Sequence, residues 1–421
     1  MKAAARQLNE KSVKTRIAAF NCLRQLATTL PGCLCDHAAI VIPGVERALK
    51  DASSNALRIE TLLFLLEALR SHPPATFQTY VGQLLSPITL LADDRYYKMV
   101  AEALRVLAEF VKLLRPEPPE VTFAHDVHVP RLYNVVERRL QANDQDQEVK
   151  ECAISCMGLL IAHLADHPCI EHTKVLHLLL ERMRNETTRI TTVKTFALIA
   201  GAKLDVQLST VVAGGTVLEL AVAELCAFLR KSSRPLRQAS LITLEVIISR
   251  YAAALPDSHV TNAMSELSGL VNDGDLHVAH LALTLAQTMI TSTKRASVTD
   301  PLSQLLIPKV LILLHSTLLQ GVALKSLLSL LSQIVAEQYR KGSNTVIALW
   351  KGWPYQCCIS LLAGYLRLPL TICGSDCSAY PSLRPSLVMP WPPSRKPSQL
   401  AVQLRPRNKP LRALRSLPRT S

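Results

Sequence analysis

The stretch DQDQEVKECAISCMGLLIAHLADHPC, residues 144–169, concentrates the side chains with most chemical potential: Cys152, Cys156, His163 and His167. At 3.6 residues per turn all four would point to within about 60° of one another, and a His pair at i, i+4 is a zinc-binding spacing. Metal chemistry then fails on distance. Cys152 and His163 are 11 residues apart, about 16 Å along a helix, whereas zinc–ligand bonds are about 2.0–2.3 Å. One ion cannot take all four, and each pair would need two further ligands from elsewhere. In HLADH a leucine also stands where a zinc-protease helix carries its glutamate base. Cys152, Cys156 and Leu159 fall on a stripe that comparable segments fill with Leu, Val and Ala, so packing is their expected role. His167 precedes Pro168 at the expected helix end, where a cation suits the carbonyl end of the dipole.

Other chemistries find less support. Cys357-Cys358 and Cys373-x3-Cys377 lack neighbouring histidines or a second Cys pair at ribbon spacing. The sequence contains no Gly-x-Ser-x-Gly elbow, P-loop or dinucleotide glycine pattern. Asp93-Asp94 falls in an inter-helix turn, where capping is the ordinary role, and Asp144 with Gln147 reads as a capping box. No catalytic, cofactor-binding or metal residue is assigned, no cofactor is expected, and partner-contact residues stay unassigned. The expectation is a protein that is not an enzyme.

The elements that carry these residues repeat. An apolar residue, often followed by a base, opens an apolar stripe at Val13-Lys14, Leu57-Arg58, Tyr97-Lys98, Val149-Lys150, Ile190-Thr191, Leu236-Arg237, Val278-Ala279 and Leu319-Gln320; the intervals are 44, 40, 52, 41, 46, 42 and 41 residues. Apolar positions at i, i+3, i+4 and i+7 follow each start, as in LRIETLLFLLEALRS. Polar turns such as LKDASSN, MRNETT and VNDGD precede most of them, and a second, more uniformly apolar helix precedes each turn. Two helices per 40–47 residues is the HEAT/armadillo period, in which hairpins stack to build one continuous core. The fold class expected is therefore all-α: a HEAT-repeat, armadillo-like α-solenoid over residues 1–339, with about eight hairpins and the first one incomplete.

Scarce glycine (14 residues) and few aromatics (5%) favour helix over sheet. The net charge of +14 belongs mainly to one end: residues 340–421 hold 13 Lys+Arg against Asp376 alone, so residues 1–339 carry about +2. This end also holds 11 of the 25 prolines and all three tryptophans, and it reads as an irregular, disordered tail. Its basicity says little about the partners of the repeats, and nucleic acid is not an expected partner. The longest uncharged apolar runs, Val310–Leu324 and Gly352–Leu366, are 15 residues each, short of a membrane span, and the N-terminus has no apolar signal core. Neither a membrane nor a small-molecule substrate is expected. Eleven cysteines, several inside helical patterns, suit a reducing compartment. One base recurs per repeat (Lys14, Arg58, Lys98, Lys150, Arg237). With the turn acids Asp51, Asp94 and Asp146 these bases would build a ladder of ion pairs between neighbouring units, or else a solvated face.

Several long runs also carry a family likeness. LPGCLCDHAAIVIPGVERALKDASSNALRIETLLFLL, DDRYYKMVAEALRVLAEFVKLLRP, DQDQEVKECAISCMGLLIAHLAD, LLERMRNETTRITTVKTFALIAG, AFLRKSSRPLRQASLITLEVII and LVNDGDLHVAHLALTLAQTM together resemble, in order, the cullin-associated and neddylation-dissociated proteins over roughly residues 6–335. The resemblance implies the central part of a longer HEAT solenoid that wraps a cullin bound to its RING partner. It further implies competition with substrate-receptor modules and with neddylation, hence exchange of cullin–RING ubiquitin ligases of the SCF type, in cytoplasm and nucleus. On this reading the chain is a fragment of the family pattern, and the tail matches nothing in it. The other HEAT classes to weigh are nuclear-transport receptors and phosphatase scaffolds.

Overall fold

Short polar side chains start the helices where the turns were read. Ser12 Oγ accepts from Thr15 N at 3.3 Å and Ser54 Oγ from Leu57 N at 3.2 Å, opening α2 (Val13–Thr29) and α4 (Asn55–Ser71). Such caps satisfy amide groups that have no partner inside the helix. A computed structural model of the chain describes residues 2–116, 126–142, 146–293 and 302–340. Chain contacts separate Met1–Gly352 from Trp353–Ser421, and everything described here belongs to the first unit. Cys357, Cys358, Cys373, Cys377 and the tail reading lie outside the described residues.

The remaining helices are α1 (Lys2–Gln7), α3 (Ala38–Lys50), α5 (Ala75–Gln78), α6 (Val81–Ala92), α7 (Tyr97–Leu114), α8 (Val129–Gln141), α9 (Gln147–Leu164), α10 (His172–Arg184), α11 (Arg189–Ala200), α12 (Val217–Leu229), α13 (Arg234–Tyr251), α14 (Asp257–Ser268), α15 (Leu276–Thr293), α16 (Ile307–Leu314) and α17 (Gly321–Arg340). They pair as antiparallel hairpins α1/α2, α3/α4, α6/α7, α8/α9, α10/α11, α12/α13, α14/α15 and α16/α17. The second helix of each hairpin packs on the second helix of the next, from α2 through α4, α7, α9, α11, α13 and α15 to α17; most first helices likewise touch their neighbours. The result is two helical layers with an apolar seam between them. Phe20, Phe64, Phe110 and Phe196 are fully buried in that seam, and the Phe20 and Phe64 rings meet at 5.7 Å across α2 and α4.

Two capping and boundary details differ from the sequence reading. Asp146, not Asp144, caps α9, accepting from Glu148 N at 2.9 Å, and Asp144 lies outside the described residues. Helix α9 stops at Leu164, so His167 sits in the turn beyond it rather than on the face shared by Cys152, Cys156 and His163. Pro168 explains the shift, because a proline disfavours helical backbone in the residue before it.

The largest excursion from the repeat lies between α11 and α12. There β1 (Val211–Val212) pairs antiparallel with β2 (Gly215–Thr216), matching Val211 to Thr216 and Val212 to Gly215. Gly214 at φ 98 and Gly215 at φ 140 supply backbone angles that side chains oppose. Helix α13 holds this loop: Arg250 donates to the carbonyls of Ala200, Ala202 and Leu204, the last at 2.8 Å, and Tyr251 Oη donates to Val206 O at 2.9 Å.

Candidate partner-binding surface

The Cys/His group resolves into packing contacts. Cys156 is fully buried, and burial pushes its thiol pKa up; burial likewise pushes Cys152 up to about 11. Thiols held protonated in this way are poor nucleophiles and poor ligands. His163 Nδ1 lies 2.7 Å from Arg115 O and so donates to it, while Arg115 Nη1 returns a bond to His163 O at 3.3 Å and reaches Asp166 Oδ1 at 2.5 Å. This exchange ties the end of α7 to the end of α9, and burial lowers the His163 pKa. His167 Nδ1 instead accepts from Cys169 N at 3.2 Å, with Cys169 Sγ at 3.0 Å. Among the described residues no group of three or more His, Cys, Asp or Glu is placed to hold a metal ion, and no helix is long and apolar enough to cross a membrane.

An inter-unit ion-pair ladder is present, but of the bases expected to build it only Arg58 takes part. Across the second-helix layer, arginines of one hairpin reach acids of the next: Arg16 to Asp51 at 2.8 Å, Arg24 to Glu60 at 3.1 Å, Arg58 to Asp94 at 3.9 Å, Arg70 to Glu109 at 2.9 Å, Arg105 to Glu148, and Arg234 to Asp275 at 2.5 Å. Only Arg58–Asp94 joins two of the residues expected to pair. Asp51 is taken by Arg16 rather than Lys14, and Asp146 is spent on its helix cap. Hydrogen bonds from Ser53 and then Arg16 hold the Asp51 carboxyl down to about 2. The Arg234 guanidinium does the same for Asp275, also to about 2. The first-helix layer has its own set, including Lys174–Glu137 at 2.5 Å, Arg184–Glu224 at 2.8 Å and Arg138–Asp93 at 2.7 Å.

Between α9, α11 and α13 small side chains line the contact. A Cβ on Gly158 would run into Thr195 Cγ2, so glycine is what lets α9 and α11 approach. Thr188, Thr192, Thr195 and Thr243 are buried there, and Thr243 Oγ1 donates to Val193 O at 3.1 Å. Outward from this part of the layer Leu198 (39%) and Ile242 (45%) remain exposed. On the other layer an open cavity of about 530 Å³ lies beside the β1–β2 hairpin, lined by His172, Lys174, His177 and Val212 among others.

Side-by-side stacking of two-helix units defines a HEAT/armadillo-like α-solenoid. Solved structures agree on that fold: an engineered protein superposes with a TM-score of 0.52 at 16% identity, covering 79% of this chain and 78% of its own. Kap121p bound to Pho4p gives 0.51 at 12% identity, covering 88% and 43%. Residues 32–157 match the family model described as CAND1-like, TPR repeats. The chain is 43% identical over 329 residues to Cullin-associated NEDD8-dissociated protein 1 of Arabidopsis thaliana, covering 78% of this chain and 26% of the relative. It is 37% identical over 336 residues to protein 2 of Rattus norvegicus, covering 80% and 26%. Over about four-fifths of its length this chain is similar to the cullin-associated NEDD8-dissociated proteins, and it spans about a quarter of the length of those relatives.

Proposed function

We propose that the repeats act as a non-enzymatic scaffold that binds a cullin–RING ligase core and regulates its assembly. The observation that carries the reading is 43% identity, sustained across four-fifths of the chain, to a relative whose name joins cullin association to NEDD8 dissociation. Stacked hairpins suit the task, because a long array can spread its contacts over a large partner without performing chemistry. Competition with substrate-receptor modules and with neddylation then follows from overlapping footprints. The proposed division is a solenoid over residues 1–339 followed by a separate tail, working in cytoplasm and nucleus. Affinity capture from cell extract with the full chain tests the reading: cullins and RING proteins are expected. Nucleoporins or Ran would replace it with a transport receptor, and phosphatase subunits with a phosphatase scaffold.

A further inference from the structure

The ion-pair ladder leaves a row of cations behind. Lys14, Lys98 and Lys150 open α2, α7 and α9, and Arg58 opens α4 between them. The inter-unit pairs Arg16–Asp51 and Arg58–Asp94 place the starts of α2, α4 and α7 beside one another, and Arg105 of α7 reaches Glu148 in the first turn of α9. Yet Lys14, Lys98 and Lys150 have no acidic partner among the described residues. The nearby acids are committed: Asp93 to Arg138 and Arg139, Glu148 to Arg105, Asp146 to the α9 cap, Glu151 to Gln147. Among the described acids along this edge, Glu10 has no ion-pair partner. Cations in a first turn also oppose the helix dipole, so helix stability does not explain them. Beside Lys98 stand the exposed rings of Tyr96 (36%) and Tyr97 (41%), edge to face at 5.7 Å.

We propose that this edge of α2, α4, α7 and α9 docks an extended acidic polypeptide, its carboxylates meeting Lys14, Lys98 and Lys150. The spacing selects the partner class. Packed helices lie about 8–10 Å apart, about one three-residue turn of polyproline II chain at about 3.1 Å per residue, which keeps every third side chain on one face. Acids at that spacing meet Lys14, Lys98 and Lys150, with the Asp94-paired Arg58 of α4 falling between the first two. Duplex DNA carries a charge about every 1.7 Å, far denser than this row can neutralise. The inference is independent of cullin binding, since it concerns a surface feature that any acidic strand could use.

The test is fluorescence anisotropy of a labelled proline-rich peptide of about twelve residues with Glu at every third position, titrated with the full chain. Wild type is compared with Lys14→Gln/Lys98→Gln/Lys150→Gln and with Lys231→Gln/Lys309→Gln/Lys325→Gln, which removes the same charge from exposed lysines elsewhere. The row variant should bind about tenfold more weakly and the scattered variant within about twofold of wild type. Arginine at the three row positions should restore binding, which separates charge from misfolding. Equal weakening of both lysine-to-glutamine variants would reduce the effect to net charge and overturn the proposal. So would an unchanged row variant, or a single-stranded oligonucleotide of equal length that binds more tightly with the same dependence on the row.

Discussion

Replacing Gly158 by alanine probes the closest helix approach in the array. A new Cβ there meets Thr195 Cγ2 head on, with Thr195 Cβ at 3.4 Å and Oγ1 at 3.6 Å behind it. Thr195 cannot turn away freely, because its Oγ1 donates to Thr191 O at 2.9 Å and the residue is buried. Helices α9 and α11 must therefore separate, and overpacking of this kind costs about 1–3 kcal/mol. Removing the obstructing methyl with Thr195→Ser should cost about 0.5–1.5 kcal/mol alone, as deletion of one buried methyl does. In that background Gly158→Ala should cost much less, giving a coupling of about 1 kcal/mol or more in a double-mutant cycle. Urea unfolding followed by circular dichroism at 222 nm reads all four proteins. Gly158→Ala within about 0.5 kcal/mol of wild type, or equally harmful with and without the Thr195 methyl, would refute the close-approach argument.

His72 gives a pH prediction. Its Nε2 accepts from Leu34 N at 2.8 Å and its Nδ1 lies 2.9 Å from Ala68 O, so the neutral ring ties the α2–α3 loop to the end of α4. Burial lowers its pKa below the ordinary 6.5. The stability it contributes is fully present above pH about 6.5 and is lost as the pH falls through that value toward the lower folded one; His72→Gln should flatten the stability profile between about pH 7.5 and 5. Arg250→Met should orphan the carbonyls of Ala200, Ala202 and Leu204 at the α11–α12 excursion. A loss of about 2–4 kcal/mol is expected, with faster proteolysis within residues 201–216 as the direct readout. Among cysteines, exposed Cys22 and Cys35 should react with maleimide well before buried Cys156 and Cys226, and mass spectrometry of a timed reaction checks the order.

The helix starts were legible because polar turn and apolar stripe coincide at each one, with a side-chain cap at α2, α4 and α9: α2 and α7 begin at the residues expected, Val13 and Tyr97, and α4, α9 and α13 within two of them. What failed was register finer than a turn. Lys14 and Arg16 differ by two positions, about 200° around a helix, and nothing local says which of them faces the next unit. The end of α9 was misjudged although Pro168 carried the signal. The VVAGGT hairpin went unread, because two-residue strands have no periodicity to detect. Gly158 was equally silent. A glycine inside a helical pattern shows its purpose only when the opposing Thr195 is in place.

The most direct measurement is a binding titration of the full chain against a purified cullin–RING complex, with and without NEDD8 attached to the cullin. The account predicts saturable binding at micromolar concentration or tighter to the unmodified complex, weakened by the modification. No binding, or equal binding to both forms, would contradict it.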